Sequence, residues 1–377
     1  MKHYTFIILC SIFLCFSCKE KNKISNTPTL SISLENPREP IFKDIFSSIE
    51  IIPLESNEKS IIGKLFKGKN VIYIPEKYYL TADNRYVINV FDIKGKFISN
   101  SINQIGEGPN NYKILQDFTF NPYTNTIDIL DVFGNIFQYD IHFNFKSKYR
   151  ITNNKKTIFR HLFPISINEY ALFNRTDKNL FYIYNKKNEK IIKKVEYTGF
   201  IAYISGNFCP FNQENDELFF SPTEMNNNLY TYSIKTNKLQ LEYTIDENDK
   251  CLQKADIISF KEDSKAISSY IQTECNKYIS MKRLFNRNFL VSTYLKNNKI
   301  FNNIYNLKTH QNKTFSKSPD QTENLPTFFD IKENCLYSIL FPIDLPNFIN
   351  INLLKNKDIL NNIEEEDNPC IVRYYLK

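Results

Sequence analysis

Past residue 40 the chain reads as short apolar runs with polar residues at every second position, broken every few residues by polar turns. That is the period of half-buried β-strands, not of helices. One unit recurs: a strand ending in an apolar or aromatic residue plus Asp, Asn or Ser, a polar turn, and a second strand that often begins near Lys. Val90-Phe91-Asp92 leads into Lys94-Gly95-Lys96-Phe97, and Gln138-Tyr139-Asp140 into Asn144-Phe145-Lys146. The same unit returns at Tyr184-Asn185, Tyr232-Ser233 and Tyr305-Asn306, with a weaker copy at Asn350-Ile351-Asn352 before Asn356-Lys357.

The strand-end positions 92, 140, 185, 233, 306 and 352 are separated by 48, 45, 48, 73 and 46 residues. A steady period with one stretched interval predicts an all-β fold, a six-bladed β-propeller of four-stranded antiparallel blades. A lone blade leaves apolar faces open, and stacking the blades around an axis buries them. Only 8 Gly are present, so Asn and Asp, which tolerate left-handed backbone and bond their own chain, are expected to make the turns. Within the stretched interval the alternation stops. Ile267, Tyr270, Ile271, Cys275, Tyr278 and Ile279 fall three and four apart, which predicts a helical insertion at 249–283, between the fourth and fifth repeats.

The N-terminus carries a different pattern. Lys2 and His3 precede an apolar run from Phe6 to Phe16, too short to span a bilayer but suited to a signal peptide. The run ends at Ser17-Cys18 and turns polar at Lys19-Glu20. This resembles a lipobox, with Cys15 where Leu is usual. It implies a lipoprotein signal peptide at 1–17 and lipidation at Cys18, whose multiple acyl chains would anchor the protein stably. Residues 18–40 then read as the lipidated Cys and a flexible tether, and 41–377 as the propeller. Charged residues directly after Cys18 resemble a surface-export signal and favour the cell surface of the outer membrane, with the periplasmic face as the alternative. No later run is long and apolar enough for a transmembrane helix.

Composition changes this picture little. Aromatics make up 15% of the chain, with 24 Tyr, 32 Phe and no Trp, ample for a packed core. The net charge of +7 is scattered along the chain among acidic residues. With no basic stripe and no recognition motif, nucleic acid is not an expected partner. Beyond the signal, Cys209, Cys251, Cys275, Cys335 and Cys370 are widely spaced with no CxxC, which argues against a zinc knuckle and for buried hydrophobic cysteines.

The segment Val90-Phe91-Asp92-Ile93-Lys94-Gly95-Lys96-Phe97, followed by Ile105-Gly106-Glu107-Gly108-Pro109, Tyr112 and Asp117-Phe118, resembles the six-bladed β-propeller lipoproteins of gut diderm bacteria, which are similar to NHL-repeat propellers. So does the C-terminal strand ending Tyr375-Leu376-Lys377 after Asn368-Pro369. Where that family has Gly-Glu-Tyr after the Gly-Pro, this chain has Asn110-Asn111-Tyr112. The resemblance covers the mature chain and implies fold and location, not chemistry.

Few residues suggest chemistry. Gly63-x4-Gly68-Lys69 approaches a phosphate-binding loop, but Asn70 stands where Ser or Thr would hold magnesium, and Val71–Ile74 reads as a strand where a helix is required. His142 and His310 fall in turns toward the outer edge. Asp117, and the pair Arg160 and His161, fall where inner strands should run, so they are the candidates to line the channel and hold a polar ligand. No catalytic residue, metal site or cofactor is assigned. The expectation is a lipid-anchored binding or interaction protein for a glycan, a peptide or an envelope partner. The alternatives are a lyase or hydrolase with its site at the channel, and a scaffold in an envelope complex.

Overall fold

In the computed structural model the described residues are 27–66, 69–151, 159–174, 179–196, 211–222, 226–260, 263–316 and 323–377. They form six antiparallel sheets in a ring. The N-terminal segment supplies β1 (Thr29–Ser31), a helical turn α1 (Phe42–Ile45) and β2 (Phe46–Pro53). Blade 1 is β3 (Val71–Ile74), β4 (Tyr78–Ala82), β5 (Ile88–Asp92) and β6 (Phe97–Asn100). Blade 2 is β7 (Leu115–Asn121), β8 (Thr126–Asp131), β9 (Asn135–Tyr139) and β10 (Phe145–Arg150). Blade 3 is β11 (His161–Pro164), β12 (Glu169–Phe173), β13 (Asn179–Asn185) and β14 (Lys190–Glu196). Blade 4 is β15 (Phe211–Glu214), β16 (Glu217–Phe220), β17 (Asn228–Ser233) and β18 (Lys238–Asp246). Helices α2 (Lys254–Ile257) and α3 (Ser264–Thr273) lead into blade 5, which is β19 (Ile279–Phe285), β20 (Phe289–Lys296), β21 (Lys299–Asn306) and β22 (Asn312–Ser316). Blade 6 is β23 (Phe328–Lys332), β24 (Cys335–Leu340) and β25 (Cys370–Leu376), with the short helix α4 (Leu345–Phe348) in the long connection between the last two.

The repeat marks the end of the third strand in five blades, and its Asp or Asn caps the turn that follows. Asp92 Oδ1 accepts from the backbone N–H of Lys94 and Lys96, and Asp140 Oδ1 from His142 and Asn144. Asn185 and Asn306 do the same for Lys187 and Lys308. Asn125, Asn215, Asn237, Asn297 and Asn298 all hold positive φ, the work that glycine does elsewhere.

The sixth copy is a correction. Asn350-Ile351-Asn352 begins a 3-10 turn, not a strand end. The third strand of blade 6 is β25, and its outer strand comes from the other end of the chain. β2 pairs antiparallel with β25 from Phe46↔Leu376 to Pro53↔Cys370, so the ring closes by joining its two ends. The insertion after blade 4 is also shorter than 249–283, because Tyr278 and Arg283 belong to the entry and body of blade 5. Arg283 is fully buried there, 3.1 Å from Glu247, which also accepts from Tyr294 Oη at 2.8 Å.

Residues 27–40, expected to be flexible tether, are fastened to the ring. β1 pairs parallel with the end of β18, and Arg38 bridges Phe315 on β22. Leu30, Ile32 and Leu34 are buried against blades 4 and 5, and this alternating apolar pattern is what holds the strap down.

Between blades the core is dominated by aromatics whose polar ends are satisfied. The buried tyrosines Tyr112, Tyr139 and Tyr374 donate to the backbone carbonyls of Tyr86, Asn110 and Phe348. Each ring therefore buries its apolar area, worth roughly 2 kcal/mol, without leaving a hydroxyl unpaired. Cys251, Cys275, Cys335 and Cys370 are buried and free of disulfides. Burial pushes the Cys335 and Cys370 thiols up to about 12, which makes them inert. Cys18 and Cys209 lie outside the described residues.

Candidate functional site

The six innermost strands, β3, β7, β11, β15, β19 and β23, run in the same direction around the axis, so their first residues gather at one end of the channel. Three of those beginnings carry an ionisable group. Asp117, the third residue of β7, is fully buried; a bulge between Leu115 and Asp117 in the pairing with β8 sets its direction. His161 opens β11 with its Nδ1 3.4 Å from Asp117 Oδ2. The same oxygen accepts from the backbone N–H of Leu162 at 2.9 Å. Lys69, just before β3, places its ammonium 3.1 Å from Asp117 Oδ2 and also donates to the Phe118 carbonyl. Residues from three successive blades thus converge on one carboxylate.

Burial alone would raise the Asp117 carboxyl, but Lys69 and then His161, with the Leu162 N–H, hold it below the usual carboxylate range. Asp117 is therefore an ionised acceptor at neutral pH. Its Oδ1 is buried and makes no hydrogen bond among the described residues.

A second polar set lines the opposite side. Asn212 of β15 donates to the carbonyls of Phe285 on β19 and Ile331 on β23. Lys332 Nζ donates to Asn212 Oδ1 at 2.6 Å and lies 3.7 Å from Asp330 Oδ1. Lys282 Nζ donates to the Phe328 carbonyl at 2.6 Å. Burial pushes the Asp330 carboxyl up, and the nearby Lys332 and Lys282 offset this only in part. Among the described residues no group of three or more His, Cys, Asp or Glu is placed to hold a metal.

Of the residues that sequence singled out, the structure brings Asp117 and His161 together. Arg160 is not in their contact: its backbone N–H donates to the Phe173 carbonyl, and its side chain is half-buried. Lys69 was discounted with the phosphate-loop reading. That reading fails as expected, since Val71–Ile74 is strand, yet the lysine is part of the cluster. The available signal was a Lys just ahead of one inner strand and an Asp within the next.

A family model described as a domain of unknown function, DUF4934, matches residues 27–375. The chain belongs to that family. Among solved structures, this DUF4934 protein is similar to a “Putative exported protein” from Bacteroides fragilis, with a TM-score of 0.71 at 15% identity over 93% of this chain and 99% of that one. It is also similar to a member of the DUF4221 family from Bacteroides vulgatus, with a TM-score of 0.51 at 11% identity over 88% and 98%. At such identities the likeness shows the propeller fold and carries no chemistry. No curated protein matches the chain.

Proposed function

We propose that this DUF4934 propeller is an exported, lipid-anchored binding protein that takes a glycan or peptide ligand at the end of the channel where the inner strands begin. The observation that supports this is the Lys69–Asp117–His161 cluster, which joins three blades at that end. Its carboxylate is held ionised by paired charge, which suits an acceptor of ligand hydroxyl or amide donors better than a proton donor. Export is supported by the description of the Bacteroides fragilis neighbour. Anchoring is supported by the Ser17-Cys18 lipobox, and among the described residues no helix is long and apolar enough to cross a membrane.

The full chain is to be heated with a panel of polysaccharides and peptides, alongside a Lys69→Gln variant. A ligand that binds the native state stabilises it, by about 2.7 kcal/mol at a hundredfold excess over Kd, and so raises the midpoint. The expected result is a rise with one class that Lys69→Gln loses. A rise of equal size in both proteins would move the ligand away from the cluster. Replacing Cys18 with Ala is expected to release the protein from the membrane fraction, and retention there would sink the anchor.

A further inference from the structure

The basic residues look scattered along the sequence, but two of the six outer strands concentrate them. The outer strands β10 and β14 carry six basic residues, Lys146, Lys148, Arg150, Lys190, Lys193 and Lys194, against one acidic residue, Glu196. The other four outer strands, β2, β6, β18 and β22, together carry two basic residues and three acidic ones. On β10 the charged positions are every second residue and all are exposed, so they share one face. On β14 Lys190, Lys193 and Lys194 are exposed beside Ile192, itself 52% exposed. Blades 2 and 3 are neighbours, with Tyr184 Oη donating to the Arg150 carbonyl. The two strands therefore make a cationic stretch of the outer rim, from Lys148 over the Phe137 ring on blade 2 to Lys193, which donates to the Asn237 carbonyl on blade 4, with exposed Ile192 among the lysines.

Among the described residues this flank is also bare. The outer strands of blades 4, 5 and 6 are each covered by further chain: β1 on β18, Arg38 on β22 and Leu354 on β2. Among the described residues nothing pairs with the outer side of β10 or β14. Lysines on an open edge do discourage strand addition. However, the edge of β6 is met by a single charged group, Glu55, whose Oε2 accepts from the Phe97 N–H, with Asn100 Nδ2 donating to the Lys59 carbonyl, so guarding an edge here does not call for six.

We propose that the outer edges of blades 2 and 3 are the side on which the protein rests against an anionic lipid surface. This deepens the anchored reading and rests on it. The N-terminal chain reaches the ring at Thr29 on blade 4, the blade next to blade 3. The ten residues 19–28 between the lipidation position and that point span at most about 36 Å. Attraction between exposed lysines and anionic headgroups fades beyond about 10 Å in salt, so a short tether on the adjoining blade is what lets the flank reach them. Exposed isoleucine among lysines is the combination that suits the headgroup boundary.

The test is lysine acetylation, read by mass spectrometry, on the full lipidated chain in phosphatidylcholine vesicles with and without phosphatidylglycerol. On anionic vesicles Lys148, Lys190 and Lys194 should react several-fold more slowly, with the protection lost in high salt. Lys94 and Lys308, on blades 1 and 5, should be unchanged. Equal rates on both vesicle types, or protection spread evenly around the ring, would overturn the proposal. So would a soluble anionic polysaccharide that protects the same lysines as strongly without vesicles, since the partner is then a glycan. A Lys148→Glu/Lys190→Glu/Lys194→Glu chain, changed only at exposed positions, should lose the protection of Lys146 and Lys193. The acyl mass on the N-terminal peptide reports the anchor separately. An acylated chain with equal rates keeps the anchor and removes the lipid face. An unacylated chain that floats with anionic but not neutral vesicles keeps the face and removes the anchor.

Discussion

Asp117 and Asp128 stand on adjacent strands of one blade, β7 and β8, and both are fully buried. Their carboxyls are nonetheless displaced in opposite directions. Asp117 meets two groups that bear or can bear positive charge, Lys69 and His161, and is held low. Asp128 meets only neutral donors: Thr126, Tyr170, Asn121 and Gln138 all donate to it, between 2.5 and 2.9 Å. Burial raises it, and four hydrogen bonds do not bring it back. Satisfying a buried carboxylate is thus different from stabilising its charge. The first aspartate faces the channel end where the cluster gathers. The second lies in the seam between blades 2 and 3, where its partner Tyr170 comes from the neighbouring sheet.

The contrast breaks most sharply at Asp117. Replacing it with Ala leaves Lys69 and His161 enclosed beside an apolar methyl, and truncating one partner of a buried pair costs about 3–5 kcal/mol. Chemical denaturation at pH 7 should show that loss. A loss under about 1 kcal/mol would mean that water reaches Lys69 in the native ring and the pair is not a buried one. The pH profile supplies the sign. The folded-state value of Asp117 lies below the ordinary one, so its contribution is present above about pH 4 and is lost as pH falls below that. The gap between wild type and Asp117→Ala should close in acid.

At the seam, Tyr170→Phe removes one donor to Asp128 and leaves the Asn121 and Gln138 amides each short of a partner. The expected cost is about 1–3 kcal/mol, read as a lower denaturation midpoint with an unchanged slope. A larger loss would show that the blade 2–3 seam depends on this one hydroxyl.

These two sites also show how far sequence reasoning reaches. The architecture was legible because the strand-end Asp or Asn is a local device: it caps its own turn within four residues, and it recurs wherever a third strand ends. The copy at 350–352 misled because blade 6 takes its outer strand from residues 46–53, and a closure of that kind leaves no mark at the repeat period. The segment up to residue 40 read as tether because it is polar overall, while Leu30, Ile32 and Leu34 are the pattern that straps it down. Asp117 and His161 were found because both fall on inner strands. Lys69 was set aside because a motif too weak to stand had already claimed it. Asp128 gave no signal, since an Asp in an apolar strand does not disclose whether a charge will face it.

The finest test of the comparison is Asp128→Asn. The hydroxyls of Thr126 and Tyr170 can turn to accept, and the amides of Asn121 and Gln138 can rotate, so the neutral residue can keep most of the network. The expected change at neutral pH is within about 1 kcal/mol. Its pH dependence should run opposite to that of Asp117. The folded-state value of Asp128 is raised, so the stability of the wild type is full below about pH 4 and declines as pH climbs toward that raised value. The Asn variant does not titrate and should gain on wild type over that range, by ~1.4 kcal/mol for each unit of displacement. Denaturation midpoints of the two proteins from pH 3 to pH 8 measure it. Parallel curves would mean that Asp128 is ionised as readily in the folded chain as in the unfolded one, and that four neutral donors can do for a buried carboxylate what Lys69 and His161 do for Asp117.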